Sequence, residues 1–300
     1  MIALISVLPM LYRSVAYVPA MPELDPITRA KLRLHVAVNG LHLTPPEVPA
    51  SLKRFCRPLA FYNVGSPFEL SFSGTCLLAR HHGHNLLLCT RHQLVNAKRR
   101  PDEVVIVVEN IEGGSVGINP NQVSQVVLDP AMDPSLEHLA DIMLAEYSSN
   151  PEGRDLNPYF LPLDLEAIPD LRSVPSETIM AIFSIAYPTS DTDYDPEMDA
   201  DGNFCGLHIV SRWKKLYFKC AEPDGWDQKG LVPLVPARDD DPVLPNPDGI
   251  SGAPVFFIHR SPGGDAALGF AGIISHANKR GRANMIEATH IRQAVEKHLD

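Results

Sequence analysis

Positive charge is what this chain has least of. Its 26 Lys and Arg stand against 36 Asp and Glu, a formal net charge of −10 over 300 residues. Nucleic acid and anionic membrane surfaces draw proteins in through basic patches, so neither is an expected partner. Cysteine is sparse as well: Cys56, Cys76, Cys89, Cys205 and Cys220 make an odd number, with no pair at zinc-site spacing. Reduced thiols are the expectation for an intracellular chain, which points to the cytoplasm ahead of a secreted or periplasmic location. Long apolar runs are also missing. The stretch Met1–Leu11 is apolar but too short to span a bilayer and lacks a basic n-region. It reads as a strand, as residues ahead of a true start at Met21, or as a signal peptide.

What the chain does have is 45% hydrophobic residues, enough for one large core or two moderate ones. From about residue 55 they come as short runs broken by Gly, Pro, Asn and Asp, the pattern of an all-β protein. The runs 70–79, 86–90, 104–108, 123–128 and 142–144 make a first set of strands. The turn His81-His82-Gly83-His84 sets Cys76 opposite Cys89, so a cross-strand disulfide is geometrically open to them. A linker-like stretch, 158–176, leads to a second set at 179–185, 207–211, 216–220, 253–258 and 270–275. Ahead of both, 26–38 reads as a helix capped by Asp25, and 44–49 as a linker. At the far end Ile291, Val295 and Leu299 recur at i, i+4 and i+8, one apolar face of a helix capped by Thr289. The expected divisions are 1–54, 55–165, 166–286 and 287–300.

Chemistry gathers at Gly249-Ile250-Ser251-Gly252. Glycines around a serine allow a tight turn that presents the hydroxyl beside backbone N–H donors, the pair that acyl transfer needs. By itself this is as well read as an ordinary Gly-Ser turn entering a strand. His92 follows the apolar run 86–90, and a ring held at a strand exit is placed as a general base must be. Asp141 heads the apolar run 142–144. A carboxylate there calls for a partner, and an imidazole N–H is a fitting one. Each residue alone has a bland structural reading; the order His, Asp, Ser is one of three chain orders known for such a triad. Two other clusters are weaker. Asp191 to Asp201 holds six acidic residues, but His208 stands where a calcium loop needs a bidentate Glu, so a solvated acidic loop is the better reading. His81, His82 and His84 lack an adjacent acid and read as a turn. No metal and no cofactor is expected.

The segments Gly74-Thr75, Thr90-Arg91-His92, Asp141-Ile142-Met143-Leu144, Gly249-Ile250-Ser251-Gly252-Ala253-Pro254-Val255 and Gly272-Ile273-Ile274-Ser275-His276-Ala277 resemble, in order, five segments of the trypsin-like (chymotrypsin-fold) serine peptidases. The similarity, over about residues 66 to 300, is to the divergent bacterial members. It implies two packed Greek-key six-stranded β-barrels, with an N-terminal extension and a C-terminal helix. It also implies a serine endopeptidase with catalytic His92, Asp141 and Ser251 and an oxyanion hole from the Gly249 and Ser251 amides. Substrate binding would fall to Ser275, His276 and Ala277, with the Ser275 hydroxyl on the aspartate. The substrate would be a protein or peptide, with a regulatory protein as a further partner. Departures matter too. Ile250 replaces the aspartate of the digestive members, so their zymogen switch is not expected; His276 and Ala277 replace Trp and Gly, which alters the pocket wall. The competing expectation keeps the fold as a catalytically weak or inactive protein-binding or sensor module. An α/β-hydrolase fits poorly, since the elbow lacks its last glycine and only about 50 residues follow Ser251.

Overall fold

Short apolar runs separated by turn residues satisfy their backbone groups most simply by antiparallel pairing. The computed structural model, which describes residues 36–38, 41–65, 69–109, 115–125, 140–147, 153, 155–239 and 244–300, pairs nearly all of them this way. A small hairpin, β1 (Val36–Val38) and β2 (Leu41–Leu43), precedes a short helix, α1 (Val48–Leu52). Here two expectations are corrected. Residues 36–38 are strand, the rest of the expected 26–38 helix lying outside the described residues. The expected linker at 44–49 holds a one-turn 3-10 helix (Pro45–Glu47), whose Glu47 carboxylate accepts from the Thr44 N–H and hydroxyl at 3.0 and 2.7 Å.

The first module contains β3 (Cys56–Tyr62), β4 (Leu70–His81), β5 (His84–Thr90), the helix α2 (Arg91–Ala97), β6 (Val104–Glu109), β7 (Ser115–Ile118), β8 (Gln122–Gln125) and β9 (Ile142–Glu146). Its sheet runs β7-β6-β3-β4-β5-β9-β8, and β10 (Leu161–Pro162) adds to β4 in parallel. The two end strands, β7 and β8, are joined by only three residues, so the chain itself curls the sheet toward closure. Leu59, Phe61, Leu87, Met143 and Tyr147 fill its interior, each at 0% exposure.

The second module consists of β11 (Ile179–Ala186), β12 (Thr192–Met198), β13 (Phe204–Ser211), β14 (Lys214–Cys220), β15 (Val232–Pro236), β16 (Pro254–Arg260), β17 (Ala266–Ala277) and β18 (Ala283–Glu287). Six of these close into a barrel, β11-β14-β15-β18-β17-β16, because β16 pairs with both β17 and β11. Closure removes the exposed edges that an open sheet leaves unpaired. The run 207–211, expected in this barrel, lies instead in a separate hairpin of β12 and β13, and the expected acidic loop is mostly β12 itself. Beyond the short β2, β7 and β10, three longer strands escaped the sequence reading, β3, β15 and β18. Proline in the first two hides the pattern, and Pro58 is accommodated where the β3–β4 register shifts.

One core joins the modules. Leu77, Leu86, Leu88, Ile142 and Leu144 from the first meet Phe183, Phe256, Phe270, Ile273 and Ile286 from the second. The terminal helix α3 (Ala288–Leu299) buries Ile291 and Val295 in it, with Leu299 packed alongside. Its N-cap is Glu287, two residues before the Thr289 that was expected. The architecture is therefore all-β: a closed six-stranded barrel packed against a curled half-barrel sheet, on the chymotrypsin-like two-barrel plan, with a short helix at the end.

Candidate active site

Strand register brings the first two side chains together. β5 and β9 are antiparallel neighbours with Thr90 opposite Ile142, so the residues just past Thr90 and just before Ile142 lie at the same end of the pair. Those are His92 and Asp141. His92 is held in the first turn of α2 by a capping box: the Gln93 side chain turns back to accept from the Thr90 N–H at 2.8 Å and its hydroxyl at 2.9 Å. The Asp141 carboxylate accepts the His92 backbone N–H on Oδ1 at 2.9 Å and the ring on Oδ2 at 2.6 Å. A carboxylate only accepts, so the ring proton sits on Nδ1, leaving Nε2 as the acceptor.

Ser251 arrives from the second barrel on the turn leading into β16. Gly249 (φ +95°) and Gly252 (φ +77°) lie in the left-handed region, and a Cβ on Gly252 would run into the Thr75 carbonyl of the other module. Thr75 pins that turn across the seam. Its N–H donates to the Ser251 carbonyl at 3.0 Å, and its hydroxyl donates to the Gly249 carbonyl at 2.8 Å while accepting the Tyr187 N–H at 2.9 Å. Ser251 Oγ then stands 2.9 Å from His92 Nε2. It is also 2.9 Å from the Ser275 carbonyl, so one hydroxyl proton faces two acceptors.

The other expected residues surround this line. Ser275 Oγ donates to Asp141 Oδ2 at 3.1 Å, which gives the buried-side carboxylate a third donor. The His276 ring stacks on His92 with centroids 4.7 Å apart and planes 18° from parallel. Beside the serine, the N–H groups of Ile250, Gly252 and Ala253 all donate within the protein, whereas among the described residues those of Gly249 and Ser251 meet no acceptor. Two adjacent unengaged donors next to a hydroxyl are what a developing oxyanion requires. The last β16–β17 pair is Pro254 with Ile273, so residues 275–277 run past the end of the pairing with β16. Ala277 lies at the end of that stretch, opposite Ala283. A cleft of about 320 Å³ beside the rings is lined by Arg91, His92, Val95, Asp141, Gln228 and His276. The Ile250 side chain, where the digestive enzymes carry an aspartate, is buried in the apolar core of the second barrel.

Two residues given no role by the sequence act as braces, Thr75 and Gln93. The Thr90-x-x-Gln93 spacing is a readable capping signal. Nothing local marks Thr75, since its partners are more than 100 residues away.

Other donor clusters are engaged elsewhere. Asp199 accepts the N–H groups of Asp201 and Asn203 at 2.9 and 2.8 Å, closing the β12–β13 turn. Among the described residues one group, His81, His82 and Glu166, has the proximity of metal ligands. The Leu165 N–H lies 3.3 Å from His81 Nδ1, so that nitrogen is already engaged. All five cysteines are free thiols. Burial pushes Cys76 up to about 12 and raises Cys56 and Cys89 well above the ordinary thiol range, which makes them inert.

No protein-family model matches the chain, and no curated protein matches it. Among solved structures it is similar to neuropsin, a serine protease expressed in the limbic system of mouse brain. That match has 14% identity, covers 84% of this chain and 96% of that one, and has a TM-score of 0.44. It is also similar to the Rv3671c protease in an inactive form (14% identity, 83% and 91% covered, TM-score 0.38). A third likeness is to the murine norovirus NS6 protease, an inactive mutant with a C-terminal extension (10% identity, 71% and 88% covered, TM-score 0.31).

Proposed function

We propose that the chain is a serine endopeptidase working at the seam between its barrels. The observation that carries this reading is the unbroken line from Asp141 Oδ2 through His92 Nδ1 and Nε2 to Ser251 Oγ, with links of 2.6 and 2.9 Å. His92 Nε2 takes the Ser251 proton as Oγ bonds to the scissile carbonyl carbon, and Asp141 stabilises the imidazolium. The carbonyl oxygen, now negative, is received by the Gly249 and Ser251 amides. His92 then gives its proton to the leaving amine as the C–N bond breaks, leaving an ester on Ser251. Water, deprotonated by His92, hydrolyses that ester and restores the hydroxyl. The substrate is a protein or peptide, laid in extended form along residues 275–277, and the thiol chemistry fits a reducing compartment such as the cytoplasm.

One observation favours the quieter alternative, a binding or sensor module of the same fold. The Ser251 hydroxyl can turn its proton to the Ser275 carbonyl instead of to His92. A fluorophosphonate probe separates the two readings. The endopeptidase labels on Ser251 and hydrolyses an unspecific protein substrate, and Ser251→Ala abolishes both, with a fall in turnover of at least about 10⁴-fold. A folded chain that never labels and never cleaves supports the binding module instead.

A further inference from the structure

We propose that the His276 side chain is a positioning residue for this reaction: through Ser275 it holds the third donor onto Asp141, and by stacking it fixes the ring plane of His92. The inference rests on the endopeptidase reading given above for what the positioning achieves, though not for the contacts themselves.

Ser275 Oγ has two polar neighbours, Asp141 Oδ2 at 3.1 Å and His276 Nδ1 at 2.7 Å. The hydroxyl has one proton, and the ionised carboxylate can supply none. If that proton goes to Asp141, the 2.7 Å contact exists only because His276 Nδ1 carries a hydrogen and donates to Ser275. If His276 instead holds its hydrogen on Nε2, Nδ1 pulls the Ser275 proton away and turns the Oγ lone pairs toward a carboxylate oxygen. Asp141 then loses a donor and meets an oxygen in its place. The choice of tautomer at His276 therefore decides whether the carboxylate that orients His92 has three donors or two.

The stack acts on the same ring from another direction. At 4.7 Å and 18° the two imidazoles are nearly parallel, so His276 covers one face of His92 and restricts its rotation about the bond to the backbone. That rotation is what moves Nε2 toward or away from Ser251 Oγ. A phenyl ring at 276 would keep the cover and lose the hydrogen bond; a methyl group would lose both.

Ring-nitrogen chemical shifts test the proposal directly. Full-length Ser251→Ala protein, labelled with ¹⁵N-histidine and held near pH 8, above the ordinary imidazole range, does not need to turn over. His276 is expected to show a protonated, pyrrole-type Nδ1, against the usual preference of free imidazole side chains for Nε2–H. His92 is expected to show the same tautomer. In the His276→Phe version of that protein His92 Nδ1 should lose its single-tautomer signature. In the active background His276→Phe should lower kcat about tenfold, with KM within about twofold, the size of one weakened charge-assisted hydrogen bond. His276→Ala should lower kcat further. A pyridine-type, unprotonated Nδ1 on His276 overturns the proposal, as do His92 shifts that are unchanged in His276→Phe. A chain that cleaves nothing sinks the endopeptidase reading while the nitrogen assignment still decides the role of His276.

Discussion

Asp141→Asn is the most informative single change, because its effect can be worked out donor by donor. The native carboxylate accepts the His92 N–H on one oxygen, and the His92 ring and the Ser275 hydroxyl on the other. An asparagine side chain offers one acceptor oxygen and one NH₂. Keeping the backbone bond on its oxygen turns the NH₂ toward two donors. The His92 ring escapes by moving its proton to Nε2, and it can then no longer accept from Ser251. Two hydrogen bonds to a charged group are lost, about 1.5–3 kcal/mol each. That amounts to about 3–6 kcal/mol, or about 10²- to 10⁴-fold in rate at 1.36 kcal/mol per decade. The assay is the second-order rate of fluorophosphonate labelling of Ser251, which needs no knowledge of the natural substrate, read beside a urea unfolding curve. A folded Asp141→Asn protein that labels within threefold of the native rate would refute the reasoning and remove Asp141 as the orienting acid.

Thr75→Val deletes a hydroxyl that joins the modules and leaves the Tyr187 N–H and the Gly249 carbonyl without it, so urea unfolding should shift by about 1–3 kcal/mol and labelling should slow; an unchanged midpoint counts against a latch at the seam. Gly252→Ala forces a side chain into φ +77° against the Thr75 carbonyl, costing about 1–3 kcal/mol of strain or more, and should abolish labelling; full labelling by this variant would mean that the turn can move. Asp227, with a side chain 2% exposed, is held below its ordinary range by its hydrogen bonds from Arg282. A depressed carboxyl adds stability above its unfolded value and loses it as the pH drops, so stability should fall from about pH 4 downward. Asp227→Asn should flatten that limb in acid titrations followed by circular dichroism, and an identical limb in the variant would exclude this pair as its source.

Much of what depends on neighbours along the chain was legible in the sequence. Alternating apolar runs marked most of the strands. The Gly-x-Ser-Gly turn, the histidine leaving an apolar run and the aspartate entering one were all visible as local context. Where local signals conflict, the reading failed: Pro58 and Pro233 hid β3 and β15, and the alternation at 207–211 could not say which sheet would take it. What folding in three dimensions decided is register and closure. Thr90 pairs with Ile142 and so sets His92 against Asp141. The bond from His92 to Ser251 spans 159 positions, and no spacing rule reaches that far. The side-chain partners of His276 belong to the same class, since a residue at a strand end can face any ring that another module brings over it. Sequence fixes which groups are available; only the packing of one barrel against the other determines which of them come within a hydrogen bond, because that distance is set by the shared apolar core and not by the chain between them.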